Sequence, residues 1–358
     1  MFPAMPPPRK PRLDPAIFHL PVEKMREGYY SDKYFVRARD VLLKDQHRPC
    51  VTMQVFGKAR AFLGGIDEAI AILKLCSVTW DELRVYALYD GDEIEPLETV
   101  LLIEGPYDAC AHLETLYLGV LARRTKVGTN TRRVVEAARP KQVMFFPARH
   151  DHWLVQTGDG YAAHIAGAIG VSTDAQASWW GSEGIGTVPH ALIAAYGGDT
   201  VLASHKFAEH MAPSVGLIAL VDFENDCVGT SLQLARALGE RLYGVRIDTS
   251  ETLVDKSVIP QMGTFKPTGV NPQLVCNVRR ALDREGFKHV KIVVSGGFNV
   301  DKIRHFEEEG VPVDMYGVGS SLFQGRFDFT ADVVRVEGKP CAKVGRSYRP
   351  NPRLEKVE

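Results

Sequence analysis

The chain has 358 residues, 45% hydrophobic and 24% charged, with 43 Lys and Arg against 44 Asp and Glu. That composition is ordinary for a globular protein with at least one large core and excludes a disordered adaptor. A net charge of -1 supplies no global positive field to gather nucleic acid or anionic membrane, and the apolar runs are strand-sized, well short of the ~20 residues of a membrane span.

Residues 1–18 form a proline-rich arm, with Pro3, Pro6, Pro7, Pro8, Pro11 and Pro15 among basic residues, and no regular structure is expected before His19. The arm lacks the continuous apolar stretch of a signal peptide, which makes the cytoplasm the default location. Pro49–Gly57 is β-branched and reads as a strand, and Ala59–Leu75 has helical spacing, with Phe62, Ile66, Ala69, Ile70 and Leu73 on one face. Leu83–Leu88 and Val100–Glu104 are strand-like, separated by a turn near Asp90–Asp92, and a long helical stretch runs from Leu113 to Ala138. Strands and helices without strict alternation predict an α+β domain.

After Pro140 the pattern changes to short apolar runs, each followed by an amphipathic stretch. Gln142–Phe146 precedes a helix-like Gly160–Gly170, Val215–Asp222 precedes Val228–Gly239, and Leu242–Asp248 precedes Pro272–Glu285. Val290–Ser295 then precedes Val300–Gly310, and Val313–Tyr316 precedes Gly317–Phe323. Continuous apolar strands alternating with helices indicate a parallel sheet covered on both faces. Five or six such units suit a βα-barrel, complete or not, better than a doubly wound sheet, because no GxGxxG turn opens any of them. The tail, Phe327–Glu358, returns to β-rich text. The division expected is thus 19–139 with 327–358 as one domain and 140–326 as the barrel.

In a barrel, reacting groups gather at the C-terminal strand ends. Those ends carry Phe146 and Arg149, then Asp222 and Glu224, then Arg246 and Asp248, then Ser295-Gly296-Gly297, and last Gly317-Val318-Gly319-Ser320. Two glycine-rich ends in consecutive final units predict a phosphate site, since glycine lets backbone N–H groups approach an anion. The carboxylates of Asp222, Glu224 and Asp248 suit Mg²⁺ or a positive charge developing on a sugar ring. Arg246 and Asp248, two apart on a strand, form either a structural ion pair or a clamp on a ligand. His190, at the mouth of an apolar segment, has the chemistry of a phosphoryl acceptor, though on the residues alone a plain helix-start histidine is the stronger reading. His150-Asp151-His152 has metal-ligating residue types, but nothing fixes a third ligand, so no metal is expected there. Six scattered cysteines with no CxxC pair read as reduced thiols.

Gly28-Tyr29-Tyr30-Ser31-Asp32-Lys33-Tyr34-Phe35, Ile103-Glu104-Gly105-Pro106-Tyr107, Leu113-Glu114-Thr115-Leu116 and Gly186-Thr187-Val188-Pro189-His190 occur in that order. Gly244-Val245-Arg246-Ile247-Asp248-Thr249, Ser295-Gly296-Gly297-Phe298 and Asp314-Met315-Tyr316-Gly317-Val318-Gly319-Ser320-Ser321 follow. In this order and spacing the chain, from Gly28 to Phe323, resembles the nicotinate phosphoribosyltransferase family, especially its shorter archaeal-type members. The resemblance implies an irregular (β/α) barrel with an α/β sandwich domain formed by N- and C-terminal segments. It implies transfer of 5-phosphoribosyl from phosphoribosyl pyrophosphate to nicotinate, coupled to ATP hydrolysis through a phosphohistidine at His190, as the entry step of NAD salvage.

By the same resemblance, Asp222 or Asp248 stabilises the ribosyl cation and holds Mg²⁺, and Ser295, Gly296, Gly297, Gly317, Gly319 and Ser320 hold phosphate. The ring lies between Phe146 and Tyr34, with Arg246 or Arg149 at its carboxylate and Thr173 and Asp174 close by. The partners implied are small-molecule substrates and further copies of the chain in a homo-oligomer, without nucleic acid, membrane or zinc. Nicotinamide enzymes of the wider group place an aspartate where Asp174 falls, which makes nicotinamide the second substrate candidate. Quinolinate phosphoribosyltransferase and a non-catalytic nucleotide-binding protein are further alternatives.

Overall fold

The computed structural model describes residues 11–211 and 215–358, so most of the proline-rich arm lies outside the described residues. The chain separates into two compact units: one runs to Thr129 and resumes at Gly325–Glu358, the other is Asn130–Gln324. The division falls inside a 25-residue helix, Glu114–Ala138.

The first unit is built on a six-stranded antiparallel sheet. Its order is Lys339–Pro340, Phe329–Val336, Cys50–Gly57, Thr99–Pro106, Arg84–Ala87, Glu355–Lys356. The tail therefore supplies three strands, among them the neighbour of the central Cys50–Gly57, whose Val55 faces Ala331 and Val51 faces Val336. Helix Ile66–Cys76 buries Ile66, Ile70 and Leu73 against Met53, Val55, Leu101 and Ile103 in one continuous core. That helix begins later than its apolar spacing predicts. Gly65 stands at φ +87 in the left-handed region, and the Asp90 carboxylate accepts the Ile66 N–H at 2.8 Å, so the first turn cannot extend back through Ala59–Gly64. Regular structure also begins before His19: Pro15–Phe18 is a 3₁₀ helix capped by Asp14, and Arg12 and Leu13 both bond Asp67.

The second unit carries six parallel strands: β1 (Gln142–Phe145), β2 (Gly170–Val171), β3 (Leu217–Leu220), β4 (Leu242–Ile247), β5 (Lys291–Val294) and β6 (Met315–Val318). Their order is β2-β1-β6-β5-β4-β3. This is the cyclic order of a barrel opened between β2 and β3, with none of the reversal that marks a doubly wound sheet. The gap is crossed by the chain itself: Ile185 N–H donates to Val171 O at 2.7 Å, and Val188 N–H donates to Ile218 O at 2.9 Å. Met144, Ile218, Val293 and Met315, from four of the strands, fill the interior, and Phe146 packs on top of them.

The helices Cys227–Leu238, Pro272–Arg284 and Val300–Glu308 follow the predicted ones within two residues. Two elements differ. The helix after β1 is Gln156–Ile165, and Gly170 opens β2, a two-residue strand too short to leave a periodic signal. The last strand is shifted toward the C-terminus, so that Gly317 lies buried within β6 rather than in the loop after it.

Candidate active site

The C-terminal ends of the parallel strands bring the predicted polar residues together. The penultimate residue of β4 is Arg246, whose guanidinium forks three ways: Nε donates to Ser295 Oγ at 2.8 Å, Nη1 to Thr187 Oγ1 at 3.2 Å, and Nη2 to Asp248 Oδ2 at 3.0 Å. Ser295 Oγ in turn donates to Asp248 Oδ1 at 2.7 Å. Arg246, Asp248 and Ser295 thus close a ring of hydrogen bonds across the ends of β4 and β5, and Thr187 ties it to the segment that crosses the barrel opening. Arg246 and Asp248 form an ion pair, each 19% exposed. The Arg246 guanidinium also stands 5.3 Å from the centre of the Phe146 ring, within reach of a cation–π interaction.

One strand further, Asp222 follows β3 and meets His190, the first residue of helix His190–Ala195. His190 Nε2 lies 3.1 Å from both Asp222 oxygens. The carboxylate is almost covered at 9% exposure while the imidazole is 45% exposed, so this is a buried anion holding an accessible ring. Burial pushes the Asp222 carboxyl above its ordinary range; His190 pulls it back, and neighbouring Asp248 raises it again. Asp222 and Asp248 are therefore close enough to feel each other's charge. Among the described residues no group of three or more His, Cys, Asp or Glu could hold a metal.

Past β5, Gly296 and Gly297 stand at φ +89 and +65, a turn that only glycine enters twice without strain. The carbonyl of Gly296 accepts from Lys302 Nζ at 3.0 Å. Past β6, Gly319 lies against His150: a Cβ there would stand 2.9 Å from the imidazole Cε1. Ser320 is exposed at the start of the 3₁₀ helix Ser320–Phe323. Gly317 has another use. A Cβ on it would meet the Phe146 ring at 2.6 Å, so glycine at this point of β6 is what lets that ring lie on the barrel interior.

The remaining predicted residues lie apart from this network. Arg149 is exposed in the 3₁₀ helix Ala148–His150. Thr173 caps the helix Asp174–Ala177, accepting from Gln176 N–H at 3.2 Å and donating to Gln156 Oε1 at 3.0 Å. Asp174 Oδ1 accepts the Gly184 N–H at 2.8 Å, which anchors the start of the segment that crosses the barrel opening. Glu224 is in the loop after Asp222, its Oε1 3.8 Å from where a Cβ on Gly198 would stand. Tyr34 belongs to the first unit, on helix Lys33–Lys44, and is 63% exposed. His152 is taken up in a local cap, its Nδ1 accepting from Leu154 N–H. All six cysteines are free thiols.

The sequence alone gives Thr187 and Lys302 no role of their own, and it marks His150 only within a metal-type cluster, not as a neighbour of Gly319. Thr187 is 59 residues from the arginine it binds, so no local pattern marks the pair. Lys302 carries a signal in retrospect: it is six residues past Gly296, in the first turn of helix Val300–Glu308, where a long side chain reaches back over the preceding turn.

Residues 32–125 match the family model described as quinolinate phosphoribosyl transferase, N-terminal domain. A nicotinate phosphoribosyltransferase of Mycobacterium tuberculosis is 32% identical over 272 residues, covering 74% of this chain and 56% of that protein. One from Bacillus subtilis is 23% identical, covering 66% of this chain and 45% of that protein. The chain spans about half the length of the curated relatives it matches. Among solved structures, the nicotinate-nucleotide pyrophosphorylase of Pyrococcus furiosus is 33% identical with a TM-score of 0.79, covering 94% of this chain and 84% of that one. Human nicotinic acid phosphoribosyltransferase, 17% identical at a TM-score of 0.64 and covering 87% of this chain and 75% of that one, shares the fold. With the opened six-stranded barrel and the sandwich sheet closed by the tail, these likenesses establish that the chain belongs to the nicotinate phosphoribosyltransferase family, on the type II phosphoribosyltransferase fold.

Proposed function

We propose that the protein is a nicotinate phosphoribosyltransferase, transferring 5-phosphoribosyl from phosphoribosyl pyrophosphate to nicotinate in NAD salvage. The observation that carries this reading is the Arg246–Asp248–Ser295 ring of hydrogen bonds, flanked by the Phe146 ring on one side and the glycine turn on the other. A flat anion can lie on Phe146 with its carboxylate toward Arg246, while a phosphate is held at Gly296, Gly297, Gly319 and Ser320. Asp248 and Ser295 keep the guanidinium in one orientation, so little side-chain freedom is lost when the carboxylate arrives. Tyr34, exposed on the first unit, suits the second face of the ring sandwich, supplied by another copy of the chain in a homo-oligomer.

Departure of pyrophosphate from C1 leaves positive charge on the ribose ring, and Asp222 is the carboxylate best suited to stabilise it, since Asp248 is already committed to Arg246 and Ser295. Asp222 and Asp248 could hold Mg²⁺ only together with substrate phosphates, the usual manner for that ion. Bound there, Mg²⁺ would neutralise charge on the leaving pyrophosphate. His190 Nε2–H donating to Asp222 leaves the Nδ1 lone pair as the nucleophile. In ATP coupling, Nδ1 takes the γ-phosphoryl group as the bond to ADP breaks, and water later cleaves the phosphohistidine. The reaction places the protein with small-molecule partners, and no helix among the described residues is long and apolar enough to cross a membrane.

Nicotinamide is an alternative substrate, because Asp174 takes the Gly184 N–H on Oδ1 and keeps Oδ2 to accept from a carboxamide. Quinolinate is a second reading on one specific ground, the family model over residues 32–125. Its second carboxylate calls for a further cation at the ring, where Arg246 is the one charged group held over Phe146 among the described residues. Pyrophosphate release from phosphoribosyl pyrophosphate and Mg²⁺, with nicotinate, nicotinamide or quinolinate, each with and without ATP, separates the readings. Turnover with nicotinate, accelerated by ATP, is expected. Carbon dioxide released from quinolinate would transfer the assignment to that reaction, and a preference for nicotinamide would make Asp174 the selector.

A further inference from the structure

The glycine turn after β5 holds a carboxylate that the proposed reaction does not use. Glu251, three residues past Asp248, lies over the turn: its Oε1 is 1.9 Å from where a Cβ on Gly297 would stand. Behind it, a Cβ on Gly269 would stand 3.2 Å from the Glu251 Cα. Gly269 and Gly297 both have left-handed backbone, at φ +69 and +65, so two glycines make the space in which this side chain sits. The turn Ser250–Leu253, closed by Leu253 N–H to Ser250 O at 3.0 Å, holds it there.

Next to it is Lys302. Its Nζ donates to Gly296 O and lies 4.3 Å from the centre of the Phe298 ring, and among the described residues no carboxylate comes within ion-pair distance of it. Because a trans peptide sets C=O and the following N–H on opposite sides, holding the Gly296 carbonyl fixes where the Gly297 N–H points. Burial lowers the Lys302 pKa; Glu251 acts against that and Lys266 adds to it, so these are the charged groups that face the ammonium. A mostly buried cation beside a glycine turn attracts any anion that can approach it, and Glu251, outside ion-pair distance, is the anion standing over that turn.

We propose that Glu251, standing over the glycine turn beside Lys302, fills the place that the phosphate monoester of the phosphoribosyl substrate takes, so that the two anions compete for one turn and the field of one cation. This rests on the phosphate site of the proposed function and adds a device that sets its affinity. Lys302 acts as a positioning residue for the turn as well as the cation in dispute. Ejecting a carboxylate lowers affinity for phosphate in general, which keeps weakly held monoesters out of the site.

Calorimetric titration with ribose 5-phosphate tests the idea without turnover. Glu251→Gln, an exposed and isosteric change, is expected to tighten binding about threefold to tenfold at low salt. Lys302→Met is expected to weaken it about tenfold, and Lys302→Arg to restore most of the loss. In Lys302→Met the gain from Glu251→Gln should vanish, a non-additivity that a purely structural role for either residue does not produce. Equal or weaker binding by Glu251→Gln, or a gain that persists without Lys302, would overturn the competition while leaving the phosphate site standing. Failure of the wild-type protein and every variant to bind ribose 5-phosphate would overturn the phosphate site, and the inference with it.

Discussion

The two units differ in how their ionisable groups are arranged. In the sandwich unit burial displaces separate groups: His112 is fully covered and held down to about 4, while Glu114 and Asp90, both partly covered, are each pushed up to about 7. Burial is the leading cause in all three. Their partners are structural, His112 Nε2 lying 3.2 Å from Cys76 O and Asp90 capping helix Ile66–Cys76. At the barrel rim, charged groups instead bond one another across strand ends 47 and 49 residues apart, with an exposed imidazole beside them. A displaced pKa alone does not tell the units apart, since burial also raises Asp222 and Cys227 in the barrel unit. Convergence of side chains at the C-terminal strand ends, open to a ligand, is what marks a site.

The largest effect expected from this contrast is at Arg246. Removing its guanidinium (Arg246→Ala) deletes the proposed carboxylate contact and unties Asp248 and Ser295, so kcat/KM for nicotinate should fall about a thousandfold or more. Retention of more than a tenth of the activity would place substrate elsewhere. His190→Asn is expected to remove stimulation by ATP while leaving slower transfer, read as pyrophosphate release with and without the nucleotide. Persistent ATP stimulation in that variant would separate the Asp222-bound imidazole from energy coupling.

Packing gives a smaller effect. A methyl group on Gly317 collides with Phe146 at 2.6 Å, so Gly317→Ala should cost about 1–3 kcal/mol. Thermal unfolding would show this as a fall of roughly 2–4 °C per kcal/mol for a unit of this size. An unchanged Tm would mean that the ring moves aside freely. In the sandwich unit the prediction concerns pH. The folded protein holds a proton on Asp90 to about 7, above the unfolded carboxylate value, so that contribution is complete at low pH and is lost as pH rises from about 4 through 7. Asp90→Asn keeps an oxygen for the Ile66 N–H and should flatten this part of the stability–pH curve, with transfer activity preserved. An identical slope in the variant would assign the dependence to another group.

The predicted barrel strands and their polar ends were legible because each apolar run stops at a charged or glycine-rich residue. Asp222, Arg246, Asp248 and Ser295 were found in this way, and the fold brings them to one rim. The partnerships among them were not legible, since Arg246 meets Ser295 and Thr187 only after the sheet curls. Gly317 was read as a phosphate-turn residue because strand and turn glycines look alike in sequence; its place inside β6 follows from the bulk of Phe146 on the adjacent strand end. Strand β2 escaped for lack of length. Asp174, the expected selector between nicotinate and nicotinamide, also holds Gly184 through Oδ1, a bond that no local pattern marks.

Direct product analysis tests the central claim, that the barrel rim joins phosphoribosyl to nicotinate. Wild-type protein and folded Arg246→Ala are incubated with nicotinate, phosphoribosyl pyrophosphate and Mg²⁺, and nicotinate mononucleotide is measured by mass spectrometry. The nucleotide should accumulate with equimolar pyrophosphate in the wild type and fall to near background in the variant. Equal accumulation in both, or none in the wild type, would contradict the assignment of this rim as the site of transfer.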